Sequence, residues 1–166
     1  GLRPESPQEA LDVQASFQRM GIPVHILTWQ HEAVASRVHV RARDARYDLL
    51  VSACKAQGLD TLLLAHHRGD QAETILMRFA KGSGLSGLSG MAAESERDGV
   101  RLIRPLLGID KQNLIATCQA NGLPMVTDPS NLSDHYARGR LRRVQDLLES
   151  EGFTVERLLD LGSRAG

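Results

Sequence analysis

The sequence has little of several features that mark specialised classes of protein. Its two cysteines, Cys54 and Cys118, have no CxxC spacing, so we interpret both as small buried residues in a reducing compartment. Basic and acidic residues are equal at 20 each, and this zero net charge argues against a global attraction to nucleic acid. No apolar run approaches the length of a membrane span, and the first residues do not resemble a signal peptide. We therefore expect a cytoplasmic protein with no membrane partner.

The remaining composition is that of an ordinary folded domain. With 166 residues, 42% of them hydrophobic and 24% charged, the chain is long enough to build a sizeable core. Strand and helix patterns alternate, which predicts right-handed βαβ units and an α/β fold with a parallel sheet flanked by helices. Residues 84–95 are predicted to form a loop without a buried pattern. The predicted helices span residues 6–20, 42–57, 70–80, 110–120 and 138–148, and the predicted strands span residues 23–29, 62–65 and 100–107. Ser6 is the predicted N-cap of the first helix. The residues predicted to form the buried faces of three helices are Ala45, Leu49, Ala53 and Ala56 in 42–57, Ala72, Ile75, Leu76, Phe79 and Ala80 in 70–80, and Leu141, Val144, Leu147 and Leu148 in 138–148.

The most informative stretch of the chain is residues 62–91. It opens with the continuous apolar run Leu62–Ala65, which is typical of a parallel strand buried on both faces. His66 and His67 follow where this strand ends. Ligands in open α/β sheets bind outside the carboxyl ends of the strands, so these histidines lie where a binding site is expected.

Asp70 and Glu73 open the helix that follows the two histidines. Their three-residue spacing places both carboxylates on one side of the first turn, where they could orient a cation, an amine or a magnesium-bound phosphate. The same spacing fits a capping box with Asp70 as the N-cap, and spacing alone favours this common local device. A zinc site shared with His66 and His67 is disfavoured, because adjacent strand residues point to opposite faces.

Basic residues cluster at two further places. Arg43, Arg46 and Tyr47 share one side of a predicted helix and could hold a phosphate or carboxylate, although a solvated helix face explains them as well. Residues 138–143 place four arginines at the start of another predicted helix, where positive charge opposes the helix dipole. Anion binding and simple solvation explain this second cluster equally well.

The order of the motifs is more specific than any one of them. The chain contains, in this order, ARDARY, LLLAHHRGDQAET, KGSGLSGLSGM, RPLL, DPSN and YARGRLR. Together they resemble the catalytic domain of the tRNA(Ile)-lysidine synthetase family, a branch of the PP-loop ATP pyrophosphatases, over roughly residues 1–148. The resemblance implies an adenine nucleotide alpha hydrolase-like, Rossmann-like fold. It divides the chain into a partial PP-loop domain (1–133) and a C-terminal helical extension (134–166).

The resemblance also implies a reaction. In this family ATP adenylates the C2 oxygen of the wobble cytidine in tRNA(Ile) with a CAU anticodon, and free L-lysine then displaces AMP to form lysidine. The implied cofactors are ATP and magnesium, and the implied assemblies include a homodimer. The implied site residues are nucleotide-binding His66 and His67, metal-binding Asp70, and catalytic Asp70, Glu73, Arg43 and Arg142.

The chain also departs from the family pattern. The phosphate-binding SGGxDS sequence is absent, so we expect a fragment that is truncated at its amino end and inactive alone. Gly69 and Gly139 replace an acidic residue and an asparagine that are usual in the family. Two other interpretations stay open: another PP-loop tRNA-modifying enzyme such as a thiolase, or a degenerate, non-catalytic module that binds nucleotide or RNA.

Overall fold

The computed structural model describes residues 5–31, 38–123, 125 and 144–166. The α/β class is confirmed. The described residues form two compact units, unit 1 within Gly1–Leu62, Glu96–Leu102 and Cys118–Val126, and unit 2 within Leu63–Ser95, Ile103–Thr117 and Thr127–Gly166. The helices are α1 (Ser6–Arg19), α2 (Val38–Ala56), α3 (Arg68–Ala80), α4 (Leu85–Leu88), α5 (Lys111–Ala120), α6 (Gln145–Ser150) and α7 (Val155–Ala165), and the strands are β1 (Thr61–Leu63), β2 (Glu94–Arg97) and β3 (Val100–Ile103).

The sheet has three strands in the order β1-β3-β2. β1 and β3 are parallel, because the amide of Arg101 donates to the Asp60 carbonyl and the amide of Leu64 donates to the Ile103 carbonyl, so the pairing advances along both strands together. β2 and β3 are joined by only Asp98 and Gly99, and such a short connection makes an antiparallel hairpin. The predicted wholly parallel sheet is therefore wrong in this respect, and the sheet is mixed.

The hairpin was present in the sequence as the pair Asp98-Gly99, a strong turn signal that our prediction did not use. The predicted loop over residues 84–95 is wrong in part, because it contains α4 and the first two residues of β2. Asp98 and Gly99 have φ angles of 51° and 79°, as a two-residue hairpin turn requires. β3 ends at Ile103 rather than at residue 107, because residues 105–108 form a turn that begins with Pro105.

The predicted strand at residues 23–29 is not observed. These residues have no regular secondary structure, and Ile26 and Leu27 are 41% and 39% exposed. A strand needs a neighbour for its backbone hydrogen bonds, and none of the described strands pairs with this segment. Apolar composition alone was therefore not sufficient to define a strand.

The helices of unit 1 form as predicted, with different boundaries and buried faces. α1 has Glu5 rather than Ser6 as its N-cap, and none of its residues is fully buried. In α2 the buried residues are Val51 and Cys54, whereas Ala56, which was predicted to be buried, is exposed. The expectation that Cys54 is buried is confirmed, and Cys118 is half-buried.

The core of unit 2 lies between α3 and α7. Ala72 and Ile75 of α3 and Leu158 of α7 are buried together, as the apolar stripe of α3 predicted. Phe79 is an exception, because it is 52% exposed. Gly162 of α7 permits this close packing, since a Cβ atom there would lie 2.6 Å from the Ile75 Cδ1 atom. The partly buried residues around this core are Leu76, Val155, Leu159 and Leu161.

The arginine-rich start of the predicted helix at 138–148 lies outside the described residues, and so does the predicted boundary at residue 133. The described part of that helix is α6, where Val144 just before it and Leu147 are exposed rather than buried. No helix in the described ranges is long and apolar enough to cross a membrane.

Candidate functional site

The polar residues after β1 form the start of α3, within unit 2. His67 is the N-cap, and its Nδ1 atom accepts a hydrogen bond from the Asp70 amide at 3.3 Å. In return, Asp70 Oδ2 accepts a hydrogen bond from the His67 amide at 3.0 Å. The capping box is therefore His67 with Asp70, and the predicted box of Asp70 with Glu73 is wrong. A neutral imidazole supplies an acceptor nitrogen where serine or aspartate usually supplies an oxygen.

This capping box fixes the orientation of the Asp70 carboxylate. Oδ2 also lies 3.5 Å from His67 Nε2, and the two side chains are only 15% and 17% exposed. Oδ1 forms no hydrogen bond or ion pair with any residue that the structure describes. Asp70 Oδ2 thus accepts the hydrogen bond of the capping box, and Asp70 Oδ1 is available to a ligand.

Glu73 lies one turn further along α3, and His66 immediately precedes the capping histidine. Both are half-buried, and the Glu73 Oε2 and His66 Nδ1 atoms are closed to solvent. His66, His67, Asp70 and Glu73 thus follow one another from the end of β1 into the first turns of α3, all within unit 2.

Arg68, which the sequence analysis did not single out, connects the start of α3 to two other helix starts. Its amide donates to the Ile109 carbonyl at 3.0 Å. Its guanidinium pairs with Asp110, just before α5, and with Glu156, in the first turn of α7, each at 3.2 Å. These exposed pairs add little stability, but they link residues at the starts of three helices.

The glycine-rich segment after α3 is attached to that helix by two side chains. The Gln71 amide group accepts from the Met91 N–H at 2.7 Å and donates to the Met91 carbonyl at 2.9 Å. Arg78 Nη1 donates to the carbonyls of Gly87 and Gly90 at 2.8 and 2.6 Å. Residues 84–91 are therefore an ordered segment built onto α3, and Leu88 and Gly90 within it are buried.

Arg43 lies on α2, in unit 1. It is exposed, and its guanidinium carbon lies 5.8 Å from the centre of the Tyr47 ring. Arg97 lies 5.4 Å from the same ring and forms an ion pair of 2.6 Å with Asp48. The guanidinium of Arg43 has no hydrogen bond or ion pair within the described ranges, so it is available to an anion.

Arg46, the other arginine of this helix that the sequence singled out, lines a cavity of about 320 Å³ in unit 1 together with His25 and Trp29. Arg43 and Arg46 thus both present charged groups to open space. Arg142 lies outside the described residues.

The magnesium prediction rests on Asp70 alone. Among the described residues, no group of three histidine, cysteine, aspartate or glutamate side chains is arranged to hold a metal. Magnesium commonly binds one or two carboxylates and completes its shell with phosphate oxygens and water. The available Asp70 oxygen fits this mode, and the arrangement does not fit a closed protein cage.

Comparisons with known proteins place these features in a family. A family model described as a PP-loop domain matches residues 1–148. The tRNA(Ile)-lysidine synthase of Methylobacterium sp. (strain 4-46) is 48% identical over 164 residues, covering 99% of this chain and 48% of that protein. The corresponding protein of Rhodopseudomonas palustris is 43% identical over 165 residues, covering 99% of this chain and 48% of its own length. The chain thus spans about half the length of these curated relatives.

A solved structure resembles the chain in fold. The U34-tRNA thiolase NcsA from Methanococcus maripaludis, solved with its 4Fe-4S cluster, superposes with a TM-score of 0.70 and 18% identity, covering 95% of this chain and 56% of that one. At this identity the likeness concerns the fold alone. Because the PP-loop match spans most of the chain and the relatives match nearly all of it, the chain belongs to the PP-loop domain family and is a homologue of the tRNA(Ile)-lysidine synthases.

Proposed function

We propose that this chain is part of an enzyme that ligates lysine to C2 of the wobble cytidine in tRNA(Ile), forming lysidine through an adenylated tRNA intermediate. The observation that carries the proposal is the 48% identity to a tRNA(Ile)-lysidine synthase over 99% of the chain. Membership of the PP-loop family supports ATP as the nucleotide. The other proposed partners are magnesium, L-lysine, tRNA(Ile) with a CAU anticodon and a second copy of the protein.

In this proposal the start of α3 holds the reacting groups. Asp70 takes magnesium through the oxygen that the capping box leaves available, and the hydrogen bond from the His67 amide keeps that carboxylate in one orientation. When bound, magnesium neutralises charge on the nucleotide phosphates. His66 and His67 line the nucleotide site, consistent with their place after a strand of the sheet.

Glu73 is the residue that we propose for the lysine substrate. The amino group of lysine must lose a proton before it attacks, and a nearby carboxylate can first hold the ammonium and then accept that proton. Glu73 lies one helical turn from Asp70, so both carboxylates are on the same side of α3.

Arg43 and Arg142 are proposed to bind the anionic groups of the reaction. One guanidinium group can donate two hydrogen bonds to two oxygens of the same phosphate or carboxylate group. Stabilising the negative charge that develops during a reaction makes a large contribution to catalysis. For Arg43 the support is its exposed guanidinium over Tyr47. For Arg142 the support is its place in the YARGRLR motif.

A lysine-transfer assay on the full-length gene product tests this proposal. The full-length protein is incubated with radiolabelled L-lysine, ATP, magnesium and a tRNA(Ile) transcript with the CAU anticodon. We expect label in the tRNA that depends on ATP, and a mass increase at the wobble cytidine that corresponds to lysine. A transcript with a different wobble base is the control. A folded protein that labels neither transcript, or labels both equally, would contradict the proposed reaction.

A further inference from the structure

Arg68 is a charged residue at a position that its own helix disfavours. It is the first residue of α3, and a positive charge at a helix start opposes the helix dipole. Its side chain is nonetheless only 25% exposed, so it lies against the protein rather than in solvent. Its two partners, Asp110 and Glu156, are carboxylates at the starts of other helices, where the dipole favours negative charge. The needs of α3 alone therefore do not explain Arg68.

The guanidinium of Arg68 joins two carboxylates that come from distant parts of the chain. Its Nη1 atom lies 3.2 and 3.4 Å from the two carboxylate oxygens of Asp110. Its Nη2 atom lies 3.2 Å from Glu156 Oε1. A guanidinium can bind two carboxylates through separate nitrogen atoms in a fixed geometry, whereas a lysine ammonium has a single nitrogen. The contact therefore makes use of what distinguishes arginine from lysine.

Arg68 also lies between the two residues of the capping box. His67 precedes it as the N-cap, and Asp70 completes the box two residues further on. The box sets the direction of the Asp70 carboxylate, because Oδ2 accepts from the His67 amide. A shift of Arg68 within this single turn would therefore move both partners of the box. An error of about 1 Å in the position of a reacting group can lower a rate by about a hundredfold.

One of the two carboxylates comes from a helix outside the family match. The PP-loop model matches residues 1–148, whereas Glu156 belongs to α7. The same helix supplies Leu158 to the core that buries Ala72 and Ile75 of α3. α7 thus contacts α3 through apolar packing along the helix and through an ion pair at its start. The helix that carries the candidate site is supported by a segment that the family match does not include.

We propose that Arg68 is a positioning residue: by joining Asp110 and Glu156 it fixes the first turn of α3, and with it the direction of the Asp70 carboxylate. This role rests on the proposed function, in which Asp70 takes magnesium. Exposed ion pairs add little to the free energy of unfolding, but the orientation of a metal ligand acts directly on the rate. Loss of the Arg68 contacts should therefore affect turnover and the magnesium requirement more than stability.

Steady-state kinetics of the full-length protein in the lysine-transfer assay measure kcat, the KM for tRNA and the magnesium concentration at half-maximal rate. We expect Arg68→Gln to lower kcat by about tenfold or more and to raise the half-maximal magnesium concentration, with the KM for tRNA within about twofold of the parent value. Arg68→Lys should lie between Arg68→Gln and the parent. Glu156→Gln removes one of the two pairs and should lower kcat by about threefold. Arg164→Gln, the same change at an exposed position of α7, is the control and should match the parent.

Hydrogen exchange followed by mass spectrometry measures the order of this turn independently of activity. The Asp70 amide, which donates to His67 Nδ1, should exchange about tenfold faster in Arg68→Gln, whereas the amide of Ile75 within α3 should keep the parent rate. If the parent forms no lysidine, the proposed function fails, and faster exchange at Asp70 alone still supports the role of Arg68 in fixing the turn.

Two results would overturn the proposal. One is a parent-like kcat and magnesium requirement in Arg68→Gln of an active enzyme. The other is an exchange rate at Asp70 that is unchanged, or that rises equally at Ile75, since an equal rise reports a loss of overall stability. If Arg68→Gln does not fold, the same comparisons of Arg68→Lys and Glu156→Gln with the parent decide.

Discussion

The packing of α7 against α3 depends on the absence of a side chain at Gly162. A Cβ atom added there would lie 2.6 Å from Ile75 Cδ1 and 3.3 Å from the Leu88 carbonyl oxygen. Ile75 is only 1% exposed, so its side chain has no room to move away. Overpacking of this kind costs about 1–3 kcal/mol, whereas replacing glycine by alanine inside a helix returns about 1 kcal/mol. We expect Gly162→Ala to lower the free energy of unfolding by roughly 0–2 kcal/mol.

A second substitution separates the free-energy cost of the steric clash from the free-energy gain that alanine brings through its higher helix propensity. Ile75→Val deletes Cδ1, the atom nearest the added methyl group, and alone it should cost about 0.5–1.5 kcal/mol. In the double variant the new methyl group occupies part of the vacated volume. The double variant should therefore be more stable than the sum of the single effects predicts, with a coupling free energy on the order of 1–2 kcal/mol.

Urea unfolding followed by far-UV circular dichroism measures all four proteins of this cycle. Ser163→Ala, at an exposed position of the same helix, is the control for alanine substitution in α7. A coupling free energy within about 0.5 kcal/mol of zero would refute the reasoning, because independent sites add to that accuracy. A Gly162→Ala variant that is more stable than the parent by the full helix-propensity gain would also refute it.

Three more predictions concern the candidate site and its supports. In the full-length protein, Asp70→Asn should abolish lysine transfer while changing stability by less than about 1 kcal/mol, since asparagine still accepts from the His67 amide; full activity would leave Asp70 with only its capping role. Tyr47→Leu should lower stability by about 1 kcal/mol through the loss of two cation–π contacts, whereas Tyr47→Phe keeps the ring and should change it less in the same unfolding assay. Gln71→Leu should cost about 1–3 kcal/mol by removing both hydrogen bonds to Met91, and equal unfolding midpoints for variant and parent would show that those bonds contribute nothing.

Sequence patterns were sufficient to predict the fold class, the family and the buried residues Ala72 and Ile75 of α3. These conclusions depend on periodicity and on the order of motifs, and both can be read from a chain without knowing its neighbours in space. Ala72 and Ile75 are buried as their helical spacing predicted. Cys54 is buried for the same reason, since small apolar residues on a packed helix face lose solvent contact.

The hydrogen-bond partners of the polar residues, in contrast, depend on how the chain folds in space. The sequence placed Asp70 at the helix start, but the choice of His67 as N-cap depends on the direction in which the chain leaves β1 and on which imidazole nitrogen faces the helix. Residues 23–29 look like a strand, yet a strand exists only if another strand supplies its hydrogen bonds. The close approach at Gly162 has no local signal in the sequence, because it arises between Ile75 of α3 and a helix that is far away in the chain and adjacent in space.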